Sequence, residues 1–394
     1  MTDQTILLAA VEPSADALGA SLLKELKPLV PGARFVGCGG PQMAEQCFES
    51  AFDTSAFSVM GFTDVAKVLP EAWRRARQIA RMCADEKIST AVFVDGWSFS
   101  RLAAKRIRKR SPETKIVKFA APQVWASRPQ RVDFVKDHFD LVLTLLPFEP
   151  PYFEKVSVQS IFVGNPNFEH VASVPRSGPA FRARHELGAA PILVVLPGSR
   201  KGEVARLLDV FGDTVTAAAE RIPGLKTVLA AAPAVRDLVK EGISNWPTDP
   251  LIVQADERYD AYAAADVALV ASGTATTELA MSDTPMVVAY RVDPLTAYWA
   301  RKVLVTEYVS ILNVAAGEAI IPERLQQECT PEQLTADIVR LFTDDEARRL
   351  QLSAFRRLLP DLVGSGNAAT KAAAAIASVA KGEDPIHLDD SSKG

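Results

Sequence analysis

The residues best able to do chemistry stand directly after short runs of β-branched and apolar residues. Asp95 follows one such run, residues 91–94, and precedes Gly96-Trp97-Ser98-Phe99. A carboxylate at a strand terminus can take a proton from a bound hydroxyl, and an Asp at a strand-to-helix junction also caps helices; the pattern alone leaves both roles open. Leu196-Pro197-Gly198-Ser199-Arg200 follows another run, with a helix expected to start near Glu203. Gly198 permits a tight turn, Ser199 and the free N–H groups of a helix start can face an anion, and Arg200 adds a permanent charge. Ser272-Gly273-Thr274-Ala275-Thr276-Thr277-Glu278 is a second turn of this kind. Its small residues leave the helix start open, and Glu278 lies about one turn in, where it can accept hydrogen bonds from ribose hydroxyls. Tyr290-Arg291 brings a further cation to the end of another run. Paired anion-receptive turns point to a nucleotide diphosphate rather than a carboxylate. Neither a Walker loop nor a paired-aspartate metal motif stands beside them, so arginines and helix dipoles are expected to offset the charge of a departing diphosphate.

Other clusters have plainer explanations beside the chemical one. Glu12-Pro13-Ser14-Ala15-Asp16 reads either as a helix start or as an acidic and hydroxyl cluster at a sheet edge. Gly37-Cys38-Gly39-Gly40-Pro41 lacks the third glycine of a dinucleotide fingerprint and reads as close backbone approach in a loop. His138, His170, His185 and His387 show no metal spacing, and Cys38, Cys47, Cys83 and Cys329 form no CxxC pair, so structural histidines and reduced, buried thiols are expected. Phe57, Val59, Met60 and Phe62 precede Trp73-Arg74-Arg75, Arg77 and Arg81, and a second basic run covers residues 105–110. Core packing beside a solvated helix face explains these; an apolar lip for docking on an anionic bilayer explains them too.

The elements that must position these residues are legible from periodicity. Runs at 5–11, 91–94, 115–119 and 141–145, then at 192–196, 226–230, 251–254, 267–271 and 286–289, read as buried parallel strands joined by crossover helices. The pattern predicts an α/β protein of two doubly wound sheets, whose ligands bind beyond the strand C-termini. The expected organisation is an N-terminal domain at 1–172, a linker at 173–188 and a second domain at 189–362. An Ala-rich C-terminal helix within 363–384 and a polar tail at 385–394 complete it. A length of 394 residues with 48% hydrophobic and 23% charged residues suits two globular domains, and a net charge of -4 argues against a nucleic-acid partner. Neither a signal-peptide pattern nor an apolar stretch of about 18 residues occurs, so a cytosolic protein is expected.

Taken in order, these segments resemble the lipid-A-disaccharide synthase family along almost the whole chain. The resemblance is carried by Glu12-Pro13-Ser14, Gly39-Gly40-Pro41 with Met43, Val59-Met60-Gly61, Pro122 to Trp125 and Leu146-Pro147-Phe148-Glu149. It continues through Leu196 to Arg200, Ala271 to Thr276 with Glu278, Met286 to Arg291, Tyr308-Val309-Ser310 with Asn313, and Pro322-Glu323 with Gln326. It implies a GT-B glycosyltransferase: two Rossmann-like domains facing a central cleft, with the C-terminal helix crossing back to the first. It further implies metal-independent, cofactor-free, inverting transfer of 2,3-diacylglucosamine from UDP to the 6-hydroxyl of 2,3-diacylglucosamine 1-phosphate, in lipid A biosynthesis. On that basis Asp95 is expected as base and Arg200 as the second catalytic residue. Gly198, Ser199, Ser272, Gly273, Thr274, Glu278, Arg291 and Asn313 are expected to bind UDP, and Glu12, Ser14, Ser98 and Asn165 to lie on the acceptor side. The expected setting is the anionic cytosolic face of the inner membrane, as a peripheral protein, and a homodimer is left open. The family's glycine after Ser14 is Ala15 here, its Asp-x-Pro-Asp-Phe-Asn segment reads Asp95 to Ser100, its Trp-Ala-Trp ends in Ser127, and its Val-Gly-His-Pro carries Asn165. All four departures fall on the acceptor half, which keeps a UDP-sugar epimerase of the same fold and an inert UDP-sugar-binding protein in view as alternatives.

Overall fold

The protein is described by a computed structural model, which covers residues 4–57 and 65–385. The first sheet contains β1 (Thr5–Ala9), β2 (Arg34–Cys38), β3 (Thr90–Val94), β4 (Lys115–Phe119), β5 (Leu141–Thr144) and β6 (Gln159–Phe162), all parallel, in the order β2-β1-β3-β4-β5-β6. The second contains β7 (Ile192–Leu196), β8 (Lys226–Ala230), β9 (Leu251–Val253), β10 (Val267–Ala271), β11 (Met286–Tyr290) and β12 (Glu323–Leu325), parallel in the order β12-β11-β10-β7-β8-β9. Helices on both faces bury each central strand twice over. Leu7 and Ala9 enter one core with Phe93 and Ile116, while Ile6 and Leu8 enter the other with Val92 and Val117. That double burial is why the central strands read as continuous apolar runs.

The edge strands β2, β6 and β12 escape the apolar pattern, because half-exposed strands such as Gln159–Phe162 and Glu323–Leu325 need no such run. Strand order matters more for function. In the first sheet the winding reverses between β1 and β3, and in the second between β7 and β10. Ligands of doubly wound sheets sit at that reversal, where neighbouring loops leave in opposite directions and open a crevice.

The chain divides into two compact units: residues up to Pro166 together with those from Gly364 onward, and Asn167–Val363. The division falls at Pro166 rather than at 172. Residues 173–188 are not an open linker, since they hold the helix Gly178–Arg184, capped by Ser177, whose hydroxyl accepts from the Ala180 N–H at 3.3 Å. Phe181 is buried and Arg182 reaches Asp266 at 3.0 Å, so tertiary contacts override the loop-like composition. The final helix, Ala368–Lys381, returns to the first unit and packs Ala372, Ala373, Ile376 and Ala377 against Leu22, Leu23 and Leu26 of the first helix, Pro13–Leu29. Small alanines let the helix backbone approach closely, Asn367 caps its start, and Gly382, at φ 77°, ends it.

Candidate functional site

In the second unit, the turns after β7 and β10 meet at the winding reversal around a cavity of about 480 Å³. Gly198, Ser199, Arg200, Ser272, Gly273, Thr274 and Glu278 all line it. Gly198 has φ 111°, and a Cβ there would stand 2.2 Å from the Glu203 carboxylate, so the turn demands glycine. Glu203 itself reaches back to accept from the Ser199 N–H at 3.1 Å, taking one of the donors expected to face an anion. The helix that follows, Lys201–Arg221, begins just after Arg200 and is long enough to carry a useful dipole. Its counterpart after β10, Ala275–Ala280, is only six residues long and offers little of one.

Glu278 is mostly enclosed; burial raises its pKa, and Arg258, Arg176 and His170 oppose that rise. Arg258 Nε stands 3.9 Å from Glu278 as an ion pair, too long for a hydrogen bond, and its guanidinium lies over the Tyr259 ring at 4.4 Å. Arg258 and the buried Tyr262 both line the cavity. Arg258 opens the short helix Arg258–Ala264 after β9 and Tyr262 lies within it, and neither stands beside a glycine-bearing turn of the kind that marks Ser199 or Glu278.

Arg291 and Asn313, both expected to bind UDP, are not among the residues lining the cavity. The Arg291 guanidinium donates to the Cys329 carbonyl. Asn313 is fully buried, donating to the Ile321 carbonyl at 2.9 Å and to Glu323 at 2.8 Å and accepting from the Ile321 N–H at 2.9 Å. Glu323 in turn accepts from the Val309 and Ser310 N–H groups, and Ser272 donates to the Val309 carbonyl at 3.4 Å. Asn313 therefore braces the loop behind Ser272.

In the first unit, Glu12 and Asp95 follow β1 and β3, the strands flanking the other winding reversal. Asp95, at φ 46°, and Gly96, at φ 52°, are both left-handed. A Cβ on Gly96 would lie 3.3 Å from Val11 and 3.6 Å from Glu12 Oε1, which shows how closely the two carboxylate-bearing loops approach. Gly96, not Asp95, occupies the N-cap of Trp97–Arg110, so the capping role left open for Asp95 falls away. Burial raises the pKa of Glu12, the nearby Asp95 adds to that rise, and Lys118 opposes it. Lys118, on β4, is wholly buried beneath this turn. The only sequence signal for it is a charge inside an otherwise apolar run.

Ser14 and Ser98 lie exposed at the starts of their helices, while Asn165 is buried. Asp16 belongs to the fold: its carboxylate accepts from the Gly40, Gln42 and Met43 N–H groups at 2.7 to 3.1 Å. A Cβ on Gly40 would meet that carboxylate at 2.7 Å, so the glycine-rich loop approaches protein rather than ligand. Phe57 is buried with its ring 5.6 Å from Phe99, which returns it to the core; Val59, Met60 and Phe62 lie outside the described residues. The exposed apolar side chains nearby are Leu69 and Trp73, one turn apart on the helix Val65–Asp85. A groove of about 820 Å³ runs beside them, lined by Arg77, Arg81, Arg101, Lys105 and Arg106 among others. Cys38, Cys83 and Cys329 are buried as expected, but Cys47 is exposed. Among the described residues no group of three His, Cys, Asp or Glu side chains could hold a metal ion, and no helix is long and apolar enough to cross a membrane.

Comparison with known proteins bears on this arrangement. The family described as Lipid-A-disaccharide synthetase matches residues 6–376. A lipid-A-disaccharide synthase of Paramagnetospirillum magneticum is 38% identical over 375 residues, covering 94% of this chain and 95% of the relative. Another, from Rhodospirillum centenum, is 37% identical over 88% of this chain and 87% of its own length. Among solved structures, S. aureus MnaA with UDP aligns over 97% of this chain and 99% of its own, with a TM-score of 0.62 at 12% identity. A UDP-GlcNAc 2-epimerase from Neisseria meningitidis bound to UDP-GlcNAc aligns over 93% and 97%, with a TM-score of 0.57 at 10% identity. At that identity the likeness speaks to architecture alone.

Proposed function

The chain belongs to the lipid-A-disaccharide synthase family, and from that premise we propose how its own residues join two acylated glucosamines. The donor is UDP-2,3-diacylglucosamine and the acceptor the 6-hydroxyl of 2,3-diacylglucosamine 1-phosphate. The acceptor oxygen forms a bond to the anomeric carbon from the face opposite UDP. The bond from that carbon to the β-phosphate oxygen breaks, the hydroxyl proton passes to the Asp95 carboxylate, and UDP leaves with the electron pair. Configuration inverts, giving a β-1,6-linked disaccharide.

The observation that carries this reading is the furnishing of each sheet's winding reversal. One holds the cavity of Gly198, Ser199, Arg200, Ser272 and Glu278, and the other holds Asp95 beside Glu12. Arg200 and the start of the Lys201–Arg221 helix suit the charge that grows on departing UDP, where fixed charges and dipoles need no reorganisation. Glu278 is placed for ribose hydroxyls. Arg258 at its side supplies a second cation, and Asn313 acts through Glu323 by bracing the wall at Ser272. A UDP-GlcNAc 2-epimerase shares the architecture at 10% identity, whereas the relatives at 37–38% are synthases. The test is incubation of the purified protein with both lipids: disaccharide and UDP in equal amounts support the reading, and a 2-epimer or binding without product overturns it.

Docking to the cytosolic face of the inner membrane belongs to the same proposal. Leu69 and Trp73 are each 47% exposed beside the basic groove, and Arg106 lies over the Trp73 ring at 4.1 Å. Apolar side chains rimmed by cations suit an anionic bilayer surface.

A further inference from the structure

A lysine inside a sheet needs a reason, because burying its ammonium forfeits hydration that the interior does not return. Lys118 is fully buried on β4, and its Nζ donates to the main-chain carbonyls of Asp95 at 2.6 Å and Phe119 at 3.1 Å, with that of Phe93 at 3.5 Å. The fold does not depend on Lys118 to satisfy the two nearer acceptors. The Asp95 carbonyl also accepts from Ser100 Oγ at 2.9 Å, and the Phe119 carbonyl from the Asp95 N–H at 2.8 Å. Burial lowers the Lys118 pKa to about 8, with the charges of Asp95 and Glu12 acting in the other direction. The ammonium therefore persists at neutral pH as a cost to folding. Above it, Asp95 holds a left-handed conformation that only glycine adopts freely, and such strain persists where the surroundings over-determine it.

We infer that Lys118 is a positioning residue for glycosyl transfer: its buried ammonium clamps the Asp95 peptide in the left-handed turn and sets a positive charge beneath the loops that carry Asp95 and Glu12. The inference rests on the reading of Asp95 as the base. Glu12 and Asp95 stand on neighbouring loops, and Glu12 carries the imprint of both neighbours, pushed one way by Asp95 and the other by Lys118. Without the clamp, Asp95 relaxes toward ordinary backbone geometry and its carboxylate leaves the acceptor hydroxyl. Without the charge, nothing opposes the burial and the Asp95 charge that raise the Glu12 pKa.

The experiment compares full-length wild type, Lys118→Met, Lys118→Gln, Asp95→Asn and the Lys118→Met/Asp95→Asn double variant. The measurements are turnover of the UDP-activated donor and 1-phosphate acceptor, UDP binding, and thermal midpoint. Lys118→Met is expected to lower kcat by about tenfold or more, with KM for both lipids changed less than about twofold. UDP affinity should stay the same, the midpoint should equal or exceed that of wild type, and the residual rate of Asp95→Asn should fall no further in the double variant. Lys118→Gln, which keeps a donor without the charge, should lose kcat likewise and serves as the second variant if methionine does not fold there. Wild-type kcat in either Lys118 variant, beside an inactive Asp95→Asn, overturns this inference alone. So does a lowered midpoint in both Lys118 variants with losses that multiply those of Asp95→Asn, since that marks plain structural support. Wild-type turnover in Asp95→Asn overturns the base assignment and the inference together.

Discussion

Asp95 and Arg200 ask different things of a substitution. Asp95→Asn keeps the size of the side chain and removes its basicity, so kcat should fall by about 10²- to 10⁴-fold. UDP affinity should hold, because the cavity proposed to take UDP lies in the other unit; steady-state rates and calorimetric UDP titration read the two separately. Arg200→Ala removes charge from the leaving-group side, and the loss should be about 10²-fold or more in kcat, as for other preorganised donors to developing anions. Unchanged turnover would remove Arg200 from that role. Loops at the strand ends of doubly wound sheets carry ligands, and the placement of both residues in such loops was legible in the sequence. Lys118 and Arg258 were not: one hides within an apolar run and the other sits at the start of a short helix, and composition does not say what a charge touches. The main-chain partners of Asn313 were hidden for the same reason, since an amide side chain looks alike in sequence whether it faces a ligand or two main-chain groups.

Loops between elements hold the next test. Glu149 is buried after β5 and accepts from the Trp125 indole N–H and from the Leu145 and Leu146 N–H groups, each at 3.1 Å. Burial raises its pKa to about 7 against these hydrogen bonds. A carboxyl whose folded pKa exceeds its unfolded one binds its proton more tightly in the folded state. Its contribution to stability is therefore full below about pH 4.5 and is lost as pH rises toward about 7. Glu149→Gln has no such proton to lose. Relative to wild type, its stability should improve by roughly 2.5 kcal/mol between pH 5 and pH 8, given about 1.4 kcal/mol per pKa unit. Urea midpoints at the two pH values measure this, and a pH-independent difference would place the carboxyl in water. The central strands were legible for a related reason: burial on both faces leaves an apolar run, whereas three of the four edge strands, β2, β6 and β12, leave none and the fourth, β9, keeps only a short Leu-Ile-Val run. The helix Gly178–Arg184 was hidden by its Gly-Pro start, which reads as a loop until Ser177 is recognised as its cap.

At the scale of the molecule, the C-terminal helix ties the end of the chain to its beginning. Ile376 is fully buried against the first helix, so Ile376→Asp places an unpaired charge in the core of the first unit. Its unfolding transition should drop by several kcal/mol while UDP still stabilises the second unit, and a scan with and without UDP separates the two. Charge distribution gives the last expectation. The whole chain carries -4, yet Arg77, Arg81, Arg101, Lys105 and Arg106 crowd one groove, and burial together with the neighbouring Arg77 lowers the pKa of Arg106. Cations held that close repel one another until an anion arrives, which favours a lipid headgroup or phosphate over water. Binding to vesicles containing phosphatidylglycerol should therefore weaken steeply with salt, since the Debye length shrinks from about 10 Å at 0.1 M to about 3 Å at 1 M. Leu69→Ser with Trp73→Ser should release the protein at low salt too, because each loses an apolar contact without touching the core. Unchanged sedimentation with those vesicles would assign the groove to a soluble anion and leave the membrane to another surface.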